Sequence, residues 1–182
     1  MILAFLCVAI IGLCSTGCTG FDLLNAPVCG CGYLRTANIA YGDQPRQSLD
    51  VYRPRGAAAN GRVVVFFYGG EWSAGKKADY RFAADALVSK GFVVVLPDYR
   101  LHPQVTFPAF VEDGAKAVRW THDNISRFGG DPTHIYLMGH SAGAQIAALL
   151  TLDRHYLADV GLDTSVIRGT AGLSGPYYFF PS

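Results

Sequence analysis

The chain has 182 residues, which corresponds to about one domain at roughly 150 residues per domain. Hydrophobic residues make up 51% of it and charged residues 16%, so the composition predicts a buried core and excludes a disordered chain. Fifteen Lys and Arg against fourteen Asp and Glu leave a net charge of +1. That charge is too small for a nucleic-acid binder, which must neutralise several phosphates.

The N-terminal residues carry the pattern of an export signal. Residues 2–13 form an apolar run of the length of a signal-peptide core, shorter than the ~20 residues that span a bilayer. Small residues follow and end at Gly17 and Cys18. The segment 1–18 resembles a bacterial lipoprotein signal, which implies lipidation of Cys18 and a membrane anchor, or a periplasmic or secreted protein of the cell envelope. The alternative is a buried N-terminal helix.

The five cysteines all lie within the first 31 residues, unlike a zinc site or disulfide framework that is spread through a fold. The sequence therefore predicts neither a metal site nor a disulfide framework. Cys29 and Cys31 stand too close in the chain for an unstrained mutual disulfide, so we expect them to be structural or free.

Residues 19–35 are predicted to be a linker because glycines and a proline interrupt them. Strand-like and helix-like segments then alternate through residues 36–182. The predicted strands are residues 36–41, 48–52, 62–68, 92–96, 135–138 and roughly 166–173, and the predicted helices are 78–89, 110–125 and 144–152. Two strands joined by a hairpin and followed by this alternation predict an α/β domain whose sheet starts antiparallel and continues parallel. Continuous apolar runs at 63–67 and 93–96 are typical of central strands covered on both faces.

The sequence Gly139-His140-Ser141-Ala142-Gly143 follows a predicted strand and precedes an apolar helix, which is the setting of a nucleophile elbow. The two glycines remove Cβ atoms that would clash in so sharp a turn. Ser141 is then placed over the N-terminus of the helix, where the helix dipole favours developing negative charge. The pattern predicts a nucleophile, and the alternative is a helix N-cap without chemistry.

A second motif, residues 68–72, follows the predicted third strand and reads Tyr-Gly-Gly-Glu-Trp. Residues with little side chain at the end of a strand can direct backbone N–H groups at one point, as an oxyanion hole requires. A plain Gly-Gly turn is the alternative.

Three motifs in a fixed order along the chain carry a resemblance to a known family. The first is the 68–72 loop, which is of the H-G-G-x-W type. The second is formed by residues 98–103, 107–109 and Asp113, and the third is the Ser141 elbow. Over about residues 45–175 the chain resembles an α/β-hydrolase of the esterase/lipase group, which includes bacterial carboxylesterases and kynurenine-formamidase-like enzymes. The resemblance implies a mostly parallel sheet with helices on both faces. It also implies Ser141 as the nucleophile and the N–H groups of Gly69, Gly70 and Ala142 as the oxyanion hole. Tyr68 replaces the usual His, and we expect its hydroxyl to brace the loop instead.

In this family an acidic residue and a His follow the nucleophile. Asp153 and His155 would lie roughly 18–21 Å from Ser141 along a continued helix, whereas a base must reach about 3 Å. The remaining histidines are expected to be structural or at the surface: His102, His122, His134 and His140. The sequence thus predicts that the triad Asp and His are not present in this chain, and that it is a hydrolase fragment without its last strands or a natural short protein.

The leading hypothesis is a serine carboxylesterase that acts on a small-molecule ester and uses no cofactor or metal. Two alternatives stay open at this point. One is an amide hydrolase of the arylformamidase or prolyl-oligopeptidase type, and the other is a non-catalytic envelope lipoprotein.

Overall fold

The computed structural model describes residues 20–56 and 59–177. The predicted signal segment, with residues 2–13 and Cys18, lies outside these residues. Across the described part of the chain, no helix combines the length and apolar composition that a membrane span needs.

A six-stranded sheet with the order β1-β2-β4-β3-β5-β6 forms the centre of the molecule. Strand β2 pairs antiparallel with β1 and with β4, whereas β4, β3, β5 and β6 are parallel to one another. The predicted change from antiparallel to parallel pairing is therefore confirmed. The strands are β1 (Tyr33–Ala40), β2 (Ser48–Pro54), β3 (Gly61–Phe67), β4 (Val93–Pro97), β5 (Gly130–His140) and β6 (Ile167–Leu173).

Helices cover both faces of this sheet. Neighbouring residues of a strand point to opposite faces, so Phe66 and Phe67 show which helix lies on each side. At the end of β3, the Phe66 ring lies 5.5 Å from the ring of Tyr80, just before α2. The next residue, Phe67, lies against Gly114 of α3 on the other face. The helices are α1 (Gly20–Asn25), α2 (Arg81–Val88), α3 (Ala109–Asn124), α4 (Ala142–Leu152) and α5 (Arg154–Ala158).

The two apolar runs form the best-covered strands, as predicted. All five residues of β4 are buried, and so are residues 63–67 of β3. By contrast, none of the seven residues of β6 is buried. Strand β5 is longer than the predicted 135–138, because it begins at Gly130, which pairs with Gly61 of β3.

The predicted linker, residues 19–35, contains helix α1 and the start of β1. Tertiary contacts hold this short helix in place. The Phe21 ring lies 5.1 Å from the Tyr80 ring, and Asn25 Oδ1 accepts a hydrogen bond of 2.9 Å from the Phe82 amide. Glycine and proline content alone therefore overstated how irregular this segment is.

The expectation that Cys29 and Cys31 form no mutual disulfide is wrong. A disulfide joins them, and their Cα atoms are 5.4 Å apart, within the usual range for such bonds. Gly30, which lies between them, has a φ of 67° and turns the chain so that the two side chains meet.

The motif region 98–113 forms a buried ion pair beside the sheet. The fully buried carboxylate of Asp113 accepts hydrogen bonds from Arg100 Nη2 at 2.7 Å, from the Arg100 amide at 2.9 Å and from Gln47 Nε2 at 2.6 Å. These bonds to Asp113 raise the pKa of the Arg100 guanidinium above its ordinary value. The pair fixes the segment that follows β4 onto helix α3.

Candidate active site

Ser141 occupies the junction between β5, which ends at His140, and α4, which begins at Ala142. Its φ of 52° and ψ of −120° lie in a region that non-glycine residues rarely adopt. Such local strain is typical of a nucleophile elbow. The Ser141 amide donates a 2.8 Å hydrogen bond to the Leu173 carbonyl, so the elbow is tied to β6.

The two glycines of the elbow allow the backbone to pack more closely than any side chain would permit. A Cβ atom on Gly139 would collide with the carbonyl group of Gly143. A Cβ atom on Gly143 would collide with the carbonyl oxygens of Phe67 and Tyr68. The start of α4 therefore lies directly against the end of β3, as the sequence pattern predicts.

The loop of residues 68–72 follows β3 and lies beside the elbow. Its unusual backbone shows in three successive positive φ angles, 134° at Gly70, 54° at Glu71 and 56° at Trp72. A Cβ atom on Gly69 would come within 2.9 Å of the Cβ atom of Ser141. The loop thus brings backbone amides close to the serine.

The amides of the three predicted oxyanion-hole residues are not equivalent. The Gly69 amide donates a hydrogen bond of 3.3 Å to the hydroxyl of Tyr80. Within residues 20–56 and 59–177, the amides of Gly70 and Ala142 donate to no other group. These two amides therefore have no competing hydrogen bond among those residues, whereas the Gly69 amide is already bonded. The oxyanion role of all three stays a prediction.

Tyr68 braces the loop through a partner that the sequence did not reveal. Its ring stacks on the Tyr99 ring at 4.4 Å, and its hydroxyl accepts a 2.5 Å hydrogen bond from Arg46 Nη2. The same guanidinium donates to the carbonyls of Gly75 at 2.9 Å and Tyr99 at 2.7 Å. Burial raises the pKa of the Tyr68 hydroxyl, so it stays protonated.

No signal in the sequence marks Arg46, which lies between β1 and β2, far from both motifs. Tyr80 was missed for the same reason. Both residues reach the 68–72 loop only after the sheet has assembled, so spacing along the chain gives no hint of them.

The histidines lie where their expected structural or surface roles place them. Three of them bond to a nearby carboxylate on their own segment, and the pairs are His122 with Asp123, His134 with Asp131 and His155 with Asp153. His140 bonds to Tyr80. In the part of the chain that the structure describes, no imidazole forms a hydrogen bond with Ser141.

A cleft of about 360 Å³ opens above the serine. It is lined by Glu71, Trp72, Ser141, Ala142, Ser174, Gly175 and Pro176.

Among residues 20–56 and 59–177, no group of three or more His, Cys, Asp or Glu side chains could hold a metal ion. The geometry suits attack by a serine on a small carbonyl compound.

The family model described as BD-FAE matches residues 49–169, which is more than half of the chain. The chain belongs to the BD-FAE family. This BD-FAE chain is 40% identical over 147 residues to the isoprenylcysteine alpha-carbonyl methylesterase ICME of Arabidopsis thaliana, covering 79% of the chain and 34% of the relative. It is 35% identical over 162 residues to esterase LipC of Mycobacterium tuberculosis, covering 83% of the chain and 40% of the relative.

Solved structures show the same fold. Esterase B from Lactobacillus rhamnosis superposes with a TM-score of 0.68 at 24% identity, over 80% of this chain and 49% of that one. These findings confirm the predicted α/β-hydrolase fold and the resemblance to the carboxylesterase group. The chain spans little more than a third of the length of the two curated relatives.

Proposed function

We propose that the protein is a serine carboxylesterase that cleaves a small ester through an acyl-enzyme on Ser141. The observation that carries the proposal is the position of Ser141, on a strained turn at the mouth of a cleft. The Gly70 and Ala142 amides, which bond to no other described group, support the same proposal. So do the relatives, which are named as esterases.

In the proposed mechanism, Ser141 Oγ attacks the ester carbonyl carbon and forms a bond to it. The carbonyl oxygen becomes negative and accepts hydrogen bonds from the amides of Gly70 and Ala142. The bond to the alcohol then breaks, and the alcohol leaves with the proton that Ser141 gave up. Water adds to the acyl-enzyme, its oxygen becomes part of the released acid, and one of its protons returns to Ser141 Oγ. No metal or organic cofactor takes part in these steps.

The test of the nucleophile uses a fluorophosphonate probe. The probe reacts with the serine in a single step, so the enzyme does not have to complete a catalytic cycle. The oxygen of a reactive serine displaces fluoride from phosphorus and remains covalently labelled. Because no described base takes the serine proton, we expect slow labelling of the 182-residue chain over a long incubation, and Ser141→Ala should abolish the label. Ser174→Ala is the matched control, because Ser174 lines the same cleft, and it should keep the label. A label that survives Ser141→Ala would refute the proposal.

Turnover by the 182-residue chain is expected to be slow. No described imidazole reaches Ser141, so the serine stays a neutral hydroxyl and attacks weakly. The initial rate of p-nitrophenyl acetate hydrolysis measures this. Fast hydrolysis that depends on Ser141 would show that a base within the chain has been missed, and His102→Ala would be the first variant to test.

We further propose that the protein is attached to a bacterial membrane through Cys18. The support is the apolar run of residues 2–13 followed by Gly17-Cys18. A single acyl chain binds a membrane only marginally, so a stable anchor fits a multiply acylated cysteine. Cys18→Ala should move the protein from the membrane fraction to the soluble fraction, and unchanged fractionation would show that Cys18 is not the anchor.

A further inference from the structure

Tyr80 stands between the two parts of the candidate site. It ends the 3₁₀ turn Lys77–Tyr80 and is 3% exposed. Its ring lies 5.5 Å from the Phe66 ring, 5.6 Å from Phe82 and 6.2 Å from Tyr68. Aromatic contacts on several sides therefore hold the hydroxyl group in one place.

The Tyr80 hydroxyl touches the 68–72 loop and the elbow at once. Its oxygen accepts a hydrogen bond from the Gly69 amide, with 3.3 Å between the nitrogen and the oxygen. The same oxygen lies 2.7 Å from Nδ1 of His140, the residue directly before Ser141. Since the oxygen already accepts one proton, its own proton is free to point at the imidazole.

The direction of the 2.7 Å hydrogen bond between Tyr80 and His140 depends on which ring nitrogen of the histidine carries the proton. When Tyr80 donates to Nδ1 of His140, Nδ1 must be unprotonated, and the ring proton is then on Nε2. Burial raises the pKa of the Tyr80 hydroxyl, so it remains a donor. The chain of hydrogen bonds then runs from the Gly69 amide through Tyr80 to His140.

We propose that Tyr80 is a positioning residue that fixes the oxyanion loop to the nucleophile elbow. The inference rests on the proposed function. By accepting a hydrogen bond from the Gly69 amide, the Tyr80 hydroxyl fixes the orientation of the peptide group that precedes Gly70 by one residue. By bonding to His140, it ties that backbone to the residue beside Ser141. A hydrogen bond between the two motifs therefore sets the distance between the Gly70 amide and the serine.

The first test needs no substrate. ¹⁵N NMR of labelled histidine identifies which ring nitrogen of His140 carries the proton, and hydrogen exchange measures protection of the Gly69 amide. We expect the Nε2-protonated form in the unaltered protein. Tyr80→Phe keeps the ring but should lose this preference and speed exchange at Gly69. Tyr156→Phe, on α5, is the control and should change neither.

Two results of this test would overturn the proposal. One is a His140 that carries its proton on Nδ1 in the unaltered protein. The other is a Tyr80→Phe protein that keeps the same His140 tautomer and the same Gly69 exchange rate.

The second test measures the rate of fluorophosphonate labelling at Ser141. Misplacement of a reacting group by about 1 Å can cost roughly 100-fold in rate, and we expect about a tenfold loss for Tyr80→Phe. His140→Leu removes the other end of the connection and should slow labelling similarly. A Tyr80→Phe protein that is labelled at the same rate as the unaltered protein would show that Tyr80 plays no positioning role. If the unaltered chain itself is not labelled, the proposed function fails, and the NMR result still decides whether the hydrogen bonds exist.

Discussion

Strands β4 and β6 lie in the same parallel part of the sheet, yet their surroundings are opposite. Every residue of β4 is buried, whereas none of β6 is. The nucleophile elbow lies at the boundary between these regions. On one side α4 presses against the buried end of β3, and on the other the Ser141 amide bonds to the Leu173 carbonyl of β6. The serine is therefore positioned chiefly by the buried side, where a Cβ atom on Gly139 or Gly143 would collide with backbone atoms.

One methyl group added on each side of the elbow should have very different effects on stability. Gly143→Ala places a Cβ atom on the carbonyl oxygens of Phe67 and Tyr68. Backbone atoms cannot move aside cheaply, so we expect a loss of about 4 kcal/mol or more in the free energy of unfolding. Denaturant unfolding followed by circular dichroism measures this loss.

Gly169→Ala is the matched control on β6. Its Cβ atom would lie 3.4 Å from the Tyr136 ring, which is ordinary contact. We expect a change of about 0.5 kcal/mol or less. Equal losses for Gly143→Ala and Gly169→Ala would refute the difference between the two regions.

A second comparison sets a buried ion pair against an exposed one. Asp113→Asn removes the charge that the Arg100 guanidinium faces inside the protein. The Arg100 side chain is 25% exposed, so water stabilises part of the charge that loses its partner, and we expect a loss of about 2 kcal/mol in the free energy of unfolding. Thermal and urea unfolding should both show the loss.

The exposed counterpart is the Arg119–Asp123 pair on α3, whose side chains are about 40% exposed. Solvent screens it, so Asp123→Asn should change the free energy of unfolding by about 0.3–0.5 kcal/mol. A large loss for this variant, or a negligible one for Asp113→Asn, would contradict the burial argument.

A third variant, expected to cost less than Gly143→Ala or Asp113→Asn, concerns the brace of the 68–72 loop. Tyr68→Phe removes the hydroxyl that accepts the Arg46 hydrogen bond but keeps the stacking on Tyr99. We expect a loss of about 1 kcal/mol in the free energy of unfolding. Tyr136→Phe, which lies beside β6, should change it by less than about 0.5 kcal/mol. An unaffected Tyr68→Phe protein would mean that Arg46 does not hold the loop through this hydroxyl.

The sequence predicted those parts of the fold whose cause is local. Uninterrupted β-branched runs predicted β3 and β4, and the glycine spacing around Ser141 predicted the close backbone approach.

The contacts that join distant parts of the chain were missed. Arg46 reaches the 68–72 loop, and Tyr80 reaches His140 across 60 residues of sequence. Each depends on the packing of several elements, and no periodicity or motif records it. Gly30 was predicted to interrupt regular structure, but its turn was not connected with the cysteines on either side, so the Cys29–Cys31 disulfide was missed.

The most direct test of the central claim is to find the acyl-enzyme. The 182-residue chain is incubated with p-nitrophenyl acetate, digested, and mapped by tandem mass spectrometry. Because no described base reaches Ser141, transfer of the acetyl group and its removal should both be slow, so the incubation is long enough for the acetylated form to collect. We expect one acetyl group on the Ser141 peptide, retained in Ser174→Ala and absent in Ser141→Ala. Acetylation of Ser174 or of lysines alone, with Ser141 unmodified, would contradict it.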